Sequence, residues 1–158
     1  MKPCTSSNGG PLPGVNIRVS RDDLIFESQS GNPADVIFTP PAATDAASNY
    51  IAQLSNTAFV TFRNITFQPA AGTGFNRAIH VVNRADDLTF ENLVINLPAS
   101  TAVTEDRGAI IARTSLSSNI RFINNTVTGG SHGVIFVGNS SARSPGSAVA
   151  VTSTGAPN

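Results

Sequence analysis

The sequence lacks tryptophan, and its 158 residues include one tyrosine, one cysteine and one lysine. The single cysteine, Cys4, excludes an internal disulfide bond. The net charge is zero and Lys2 is the only lysine, so no basic surface is expected that would attract nucleic acid or anionic lipid. No apolar run approaches the roughly 20 residues of a membrane-spanning helix. We therefore predict no nucleic-acid partner and no membrane span.

The chain is instead rich in residues that favour turns, with 15 asparagines, 13 glycines and 10 prolines, while only 13% of its residues are charged. Serine and threonine are also abundant. This composition favours strands and turns over helices. The length suits a single domain with a substantial core. We therefore expect one all-β domain.

One stretch, residues 59–67 (FVTFRNITF), recurs along the chain. Its pattern of apolar residues around an asparagine returns at residues 88–95 and again at residues 120–127. In each copy the apolar residues alternate up to the asparagine, shift phase by one residue and alternate again, which is typical of two short strands joined at a sharp bend. Asparagine suits such a bend because it tolerates a left-handed backbone. Three copies at a similar spacing indicate a repeat fold.

One copy is too short to bury its own apolar side, so each copy must pack on its neighbours. This predicts an all-β fold, a right-handed single-stranded parallel β-helix with three strands per coil and four to five coils of roughly 28–32 residues. Coils stacked at about 4.8 Å place equivalent residues in columns. We expect one corner to carry a hydrogen-bonded asparagine ladder of Asn64, Asn92 and Asn124. The expected core columns contain Phe26, Phe62, Phe90, Phe122, Phe38, Phe67, Ile95 and Val127.

The repeat also predicts the domain boundaries. We expect a flexible leader at residues 1–14, the β-helix at 15–141, and a thin last strand and tail at 142–158. Loops of variable length are expected near one corner, at 41–48, 70–76, 98–107 and 128–132. Each coil is expected to end its third strand before a proline, at Pro40, Pro69 and Pro98. No amphipathic helix is evident to cap either end, so either the chain is cut from a longer one or its ends meet a partner. We predict self-association through open β-helix ends.

Several segments resemble known repeats. LTFENLVI, IRFINNTVTGG and SHGVIFVGNSS resemble the repeats of right-handed parallel β-helix proteins of the pectin-lyase-like class. More closely, residues 24–141 resemble β-helical segments of large secreted bacterial surface proteins, through GNPADVIFTP, NYIAQLSNTAFVTFRNITF and DLTFENLVI. The resemblance implies a secreted or cell-surface location. It does not specify an activity, because the motifs are structural and the fold hosts lyases, hydrolases and adhesins alike.

Glycoside hydrolases of this fold carry an Asn-Thr-Asp motif, an aspartate pair and a histidine motif on consecutive coils. The nearest equivalents here are Asp86, Asp87 and His132, which form the alternative acid–base set. The match is incomplete, because Asn-Thr-Asp is missing and His132 lies more than one coil beyond Asp87. Two catalytic carboxyl groups must also be held about 5–10 Å apart across the scissile bond.

Two other acidic pairs are Asp22–Asp23 and Glu105–Asp106. A calcium site needs about six to eight oxygen ligands, so it would require acidic residues clustered from several coils. As isolated pairs, these residues are expected to be solvated turn residues. Arg63 and Glu91 are expected to form an ion pair between coils. We predict no catalytic residue, no metal site and no cofactor.

Two functions remain open from the sequence. The first is a non-enzymatic extracellular structural or adhesive β-helix, whose copies stack head to tail into a filament. The alternative is a carbohydrate-active β-helix, either a polysaccharide lyase or a glycoside hydrolase, or a β-helix that binds a glycan. Most phenylalanines fall on inward positions, which leaves few aromatic rings to contact sugars and favours the first function.

Overall fold

The computed structural model describes residues 16–41, 43–71, 75–138 and 150–151. The predicted leader and most of the predicted tail lie outside these residues. The first two coils contain β1 (Ile17–Val19), β2 (Leu24–Glu27), β3 (Ile37–Phe38), β4 (Ala52–Ala58), β5 (Val60–Arg63) and β6 (Thr66–Phe67). The next two contain β7 (Ile79–Asp86), β8 (Thr89–Glu91), β9 (Val94–Ala99), β10 (Gly108–Ser115), β11 (Arg121–Ile123) and β12 (Thr126–Gly130). A fifth coil contributes β13 (His132–Gly138) and β14 (Ala150–Val151).

These strands form three parallel sheets. The first sheet has the order β1-β4-β7-β10-β13, the second β2-β5-β8-β11-β14 and the third β3-β6-β9-β12. Neighbours in each sheet are therefore equivalent strands of successive coils. The only helices among the described residues are two 3-10 turns, Pro33–Asp35 and Glu105–Arg107. The predicted all-β parallel β-helix with three strands per coil is confirmed.

Phenylalanine rings stack through the interior along the second sheet. Phe62 and Phe90 are fully buried, and their ring centroids lie 6.2 Å apart with nearly parallel planes. Phe26 stacks on Phe62 at 4.6 Å, and Phe122 stacks on Phe90 at 5.3 Å. Alternation places these rings inward because strand residues point to opposite faces in turn. The result is one continuous aromatic column over four coils.

A second interior column follows the third sheet. Phe38 stacks on Phe67 with their centroids 5.5 Å apart, and Ile95 occupies the equivalent position in the next coil. Val127 follows Ile95 in register. Phe67 and Ile95 are fully buried, whereas Phe38 and Val127 are partly buried against the core. The column is therefore fully buried in the middle coils and partly exposed to solvent at its two ends.

The corners depend on residues with a left-handed backbone. Nine described non-glycine residues have a positive φ, and eight of them are asparagine or aspartate, the types that tolerate this conformation best. At the corner between the second and third sheets φ is 54° at Asn64, 50° at Asn92 and 50° at Asn124. The predicted corner asparagines therefore have the backbone that the bend requires.

The asparagine ladder has one bond between amides. Asn92 Nδ2 donates to Asn64 Oδ1 at 2.7 Å, but no hydrogen bond within the described residues joins Asn92 to Asn124. Asn125 bonds to the third coil instead, since its Nδ2 donates to the Phe90 carbonyl at 2.8 Å and its Oδ1 accepts from the Leu93 amide at 2.9 Å. Asn64 is half-buried, and Asn92 and Asn124 are exposed. The ladder therefore lies at the surface.

Two details of the coil boundaries differ from the predictions. The expected loop at 128–132 is almost entirely strand, because β12 continues to Gly130 and β13 begins at His132. Pro98 lies inside β9 rather than after it. The register shifts opposite Pro98, and such an irregularity accommodates a residue that has no N–H to donate. Gly129 has a φ of 69°, and a Cβ there would lie 2.0 Å from the Leu97 carbonyl oxygen, so this bend requires glycine.

The prediction that Arg63 pairs with Glu91 is wrong, because Arg63 forms its ion pair with a different glutamate. Register places Arg63 between Glu27 of the first coil and Glu91 of the third. The guanidinium of Arg63 binds the Glu27 carboxylate. The pairing still links neighbouring coils, as was expected of this column.

Candidate functional site

A trough runs along the outer face of the second sheet and crosses the first four coils. Its floor is a column of outward-facing residues in consecutive register, formed by Ile25, Thr61, Thr89 and Arg121. Beside the floor lies a line of corner residues that we call the ridge, formed by Asp23, Phe59, Asp87 and Asn119. These eight residues line an open volume of about 430 Å³. The trough is thus an elongated surface parallel to the axis of the β-helix.

All four ridge residues have a left-handed backbone, but Phe59 is the only one of the four that is neither asparagine nor aspartate. Its φ is 55°, and its side chain is 58% exposed. A bulky residue in this region is a true conformational outlier, which costs about 1–3 kcal/mol and persists only where the surrounding structure imposes it. The ring is not part of the buried core either. Neither backbone preference nor core packing explains the presence of Phe59 at this position.

The trough is charged differently at its two ends. Asp23 lies in the first coil, Asp87 in the third and Arg121 in the fourth. Asp87 Oδ1 accepts a hydrogen bond from Asn119 Nδ2 at 3.0 Å. Ile25 is 61% exposed on the floor beside Asp23. The trough can therefore provide apolar contact in its first two coils, carboxylate acceptors on the ridge and a guanidinium at the far end.

A second polar feature, the corner cluster, lies where the third sheet leads into the first. It comprises Asn49, Arg77, Asp106 and Glu105. Asn49 is fully buried; its Nδ2 donates to the Asp106 carbonyl at 2.9 Å and its Oδ1 accepts from the Arg77 amide at 2.9 Å. The Arg77 guanidinium lies 3.3 Å from the Asp106 carboxylate. Asp106 thus lies in a turn, the 3-10 turn Glu105–Arg107, and its side chain stays 37% exposed, but it also bonds to Asn49 and Arg77.

The electrostatics of the corner cluster follow from its partial burial. Burial lowers the pKa of Arg77, although the nearby carboxylates of Asp106 and Glu105 oppose this shift. The hydrogen bond from Arg113 lowers the pKa of Glu105. Burial, together with the charge of Arg77, lowers the pKa of His80 from 6.5 to about 4. His80 is thus neutral at physiological pH, and its buried Nδ1 has no hydrogen-bond partner within the described residues.

The alternative acid–base set is not brought together. Asp86 lies at the end of β7 and Asp87 follows it at the corner, whereas His132 begins β13 at the opposite end of the first sheet. At about 3.3 Å per residue, the length of the sheet separates Asp86 from His132 by roughly 25 Å. These residues cannot act on one bond.

Asp86 has a structural partner instead. Its Oδ1 accepts from the amide and the hydroxyl of Ser118 in the next coil, at 2.9 and 2.7 Å. Burial raises the pKa of Asp86, but the hydrogen bonds from Arg84 and Ser118 outweigh it, and the net effect is a lowered pKa. The carboxylate therefore stays charged and joins two coils.

Comparisons with protein-family models, curated proteins and solved structures found no match to this chain. In the described ranges, no group of three His, Cys, Asp or Glu residues is arranged to hold a metal ion. None of the helices in those ranges is long and apolar enough to cross a membrane. The fold and its surfaces define the class as a parallel β-helix with two candidate features, the trough and the corner cluster.

Proposed function

We propose that this chain is a non-enzymatic extracellular structural or adhesive segment, a rigid β-helix that associates head to tail with further copies. Its repeats resemble those of pectin-lyase-like β-helices and of secreted bacterial surface proteins, which supports the extracellular location. The observation that carries the proposal is the exposure of interior columns at both ends of the described stack. The proposal concerns self-association and predicts no catalytic site.

The end coils leave part of the interior open. Phe62 and Phe67 of the second coil are fully buried, but their equivalents Phe26 and Phe38 in the first coil are only partly buried. At the other end, Val134 continues the interior column of Ile110. Ile110 is 1% exposed and Val134 is 37% exposed. A further coil stacked on either end would cover this apolar surface and pair the edge strands.

The acidic side chains also favour a structural role, because many bond from coil to coil. Asp22 Oδ1 accepts from the Ala58 amide in the next coil at 2.7 Å, and Glu27 binds Arg63. The carboxylates of Asp86 and Asp106 likewise accept hydrogen bonds from Ser118 and Asn49 of other coils. Such contacts hold the coils in register, although each exposed ion pair contributes at most about 1 kcal/mol. Carboxylates used in this way are not positioned around a shared substrate, which weakens the carbohydrate-active alternative.

The test is the size of the chain in solution as a function of concentration, measured by analytical ultracentrifugation and followed by electron microscopy. We expect polymers of uniform width. Val134→Lys should shorten them, because it places a charge in the stacking surface. Ile37→Lys is the matched control, since Ile37 is 47% exposed but lies outside the interior columns.

Circular dichroism should first establish that both variants keep the native fold. A wild-type chain that remains monomeric at every concentration would refute head-to-tail stacking. Polymers that respond equally to both variants would also refute it. Binding of the monomer to a glycan array would instead support the carbohydrate alternative.

A further inference from the structure

We propose that the coils alternate between two types, and that this alternation determines how one copy of the chain stacks on the next. The inference rests on the proposed head-to-tail association and deepens it, because it names the strands, the register and the polarity of the junction. In this junction β1 of one copy pairs in parallel with β13 of another. A contact between two different surfaces that does not close on itself builds an open filament.

The two types of coil differ in their acidic residues. The motif Asp-Asp-Leu-x-Phe-Glu occurs at residues 22–27 of the first coil and again at residues 86–91 of the third coil. The second and fourth coils have other residues at the places of the three acids, namely Ala58, Phe59 and Arg63, and Ser118, Asn119 and Ile123. All ten acidic residues of the chain lie in the first and third coils or in the loops that follow them. Acidic coils therefore alternate with acid-free coils.

The stacking distance explains why this alternation is favourable. Equivalent residues of neighbouring coils lie about 4.8 Å apart, and like charges directly opposite each other on adjacent strands are destabilising. One acid-free coil in between separates equivalent acids by about 10 Å, which exceeds the screening length of about 8 Å at physiological salt. Arg63, for example, lies in register between Glu27 and Glu91. An acidic coil is therefore best placed between acid-free neighbours.

Between coils, the carboxylates of the motif bond to the coil that follows. Asp22 Oδ1 accepts from a backbone amide of the second coil at 2.7 Å, and Asp86 Oδ1 accepts from the Ser118 amide of the fourth coil at 2.9 Å. Glu27 and Asp87 also bond to the following coil. Within the described residues, no carboxylate of the two motifs accepts a hydrogen bond from the preceding coil. The first coil therefore needs no partner for these carboxylates from a coil placed before it.

The two ends of the stack fit this order. The first coil is acidic, whereas no acidic residue follows Asp106 in the sequence, so the last coil is acid-free. Among the described strands, β1 pairs with β4 alone and β13 with β10 alone, which leaves one edge of each open. The register of the first sheet, continued by one coil, places Ile17 on Val134 and Val19 on Phe136. Both pairs extend interior columns, and Val134 is 37% exposed in the single chain.

Contacts between two like ends are less favourable. Residues 17–38 of the first coil contain two arginines and four acidic residues, which give a net charge of −2. Residues 108–130 of the fourth coil contain two arginines and no acid, which give +2. Two first coils would repel each other, and so would two opposite ends of the stack. The junction of the first coil with the last coil brings opposite charges together, so the charges select the head-to-tail order.

Disulfide cross-linking tests the register in a Cys4→Ser background. Chains with Arg18→Cys are mixed with tagged chains carrying either Ile135→Cys or, as the control, Val137→Cys. All three positions alternate with inward residues and face outwards, but position 137 lies two residues out of register. We expect roughly fivefold more mixed dimer with position 135, because only that pair lies within the reach of a disulfide. Val137 is 42% exposed, so accessibility alone would favour the control, and equal yields or a preference for position 137 would overturn the proposal.

Salt tests the polarity, because homodimers of the Arg18→Cys chain report contact between two first coils. At about 10 mM salt we expect roughly fivefold fewer of these homodimers than mixed dimers with position 135, and the difference should narrow at about 1 M salt, where charges are screened within about 3 Å. Equal yields at low salt would overturn the proposal. Analytical ultracentrifugation of the chain without these cysteines separates the two possible failures. Polymers without the cross-link between positions 18 and 135 would refute the junction alone, whereas the absence of polymers would refute the head-to-tail function and the junction with it.

Discussion

Replacement of Phe90 by alanine tests the interior aromatic column at its centre. Phe90 is fully buried and lies between Phe62 and Phe122, with ring centroids 6.2 and 5.3 Å away. Truncation removes the ring from both stacking contacts. Neighbouring coils are held by their own strand pairing, so they cannot collapse into the space. We therefore expect a cavity to remain.

The size of the effect follows from this environment. Truncation of a buried phenylalanine costs about 3–5 kcal/mol in all, and the loss of two stacking contacts, each worth about 0.5–1.5 kcal/mol beyond the buried area, places Phe90 in the upper part of that range. A loss of about 4–5 kcal/mol is expected for Phe90→Ala. In a domain of this size, 1 kcal/mol shifts the melting temperature by about 2–4 °C. The melting temperature should therefore fall by more than about 8 °C.

The assay is urea denaturation followed by far-ultraviolet circular dichroism, which suits a chain without tryptophan. Phe59→Ala is the matched control, because it removes the same ring from an exposed position. It should change stability by less than about 1 kcal/mol, as surface substitutions usually do. Phe26→Ala should fall between the two, since within the described part of the chain Phe26 stacks on one neighbouring ring, that of Phe62. Equal effects at positions 90 and 59 would refute the assignment of the interior column.

Three further predictions concern the left-handed ridge, the half-buried His80 and the corner cluster. Phe59→Asn should raise the free energy of unfolding by about 1 kcal/mol in urea, because asparagine accepts the left-handed backbone; a loss of stability would show that Phe59 is not strained. The pKa of His80 is about 4 in the fold and about 6.5 in the unfolded chain. The stability that neutral His80 contributes to the fold is therefore complete above pH 6.5 and is lost as the pH falls towards 4. His80→Gln should flatten the stability of the chain over this pH range, and an unchanged profile would contradict the depressed pKa. Asp106→Ala should destabilise the fold by roughly 2 kcal/mol in urea, because it leaves the buried Arg77 guanidinium with fewer acceptors; Asp45→Ala, at an exposed turn, is the control and should have little effect.

The sequence predicted the interior columns well because burial depends on alternation alone. Phe62, Phe90 and Phe122 occupy equivalent places in the recurring pattern, and a parallel stack gives equivalent residues the same environment. Hydrogen-bond partners are less predictable. Arg63 has a carboxylate on either side, and the pattern gives no reason why it binds Glu27 rather than Glu91. Asn124 occupies the same place as Asn92, yet Asn125 makes the bonds between coils.

The corner cluster could not be predicted, because its partners come from segments of unequal length. Asp106 lies in the loop before the fourth coil and reaches Asn49, which lies 57 residues earlier. No repeat relates these two positions, so only the folded chain shows that they meet. The sequence therefore predicts solvated turn residues here, and it does not predict the bonds that the partly exposed Asp106 makes to Asn49 and Arg77.

The ridge, by contrast, had a signal in the sequence. Alignment of the copies places Phe59 where the next two coils have Asp87 and Asn119, so an aromatic residue stands at a position that otherwise carries a short polar side chain. Short polar residues at this corner are explained by the left-handed backbone alone. A ring at the same corner is not, and a strained residue persists only where the surrounding structure or a function requires it. The departure from the repeat therefore marks a strained and exposed position of this β-helix.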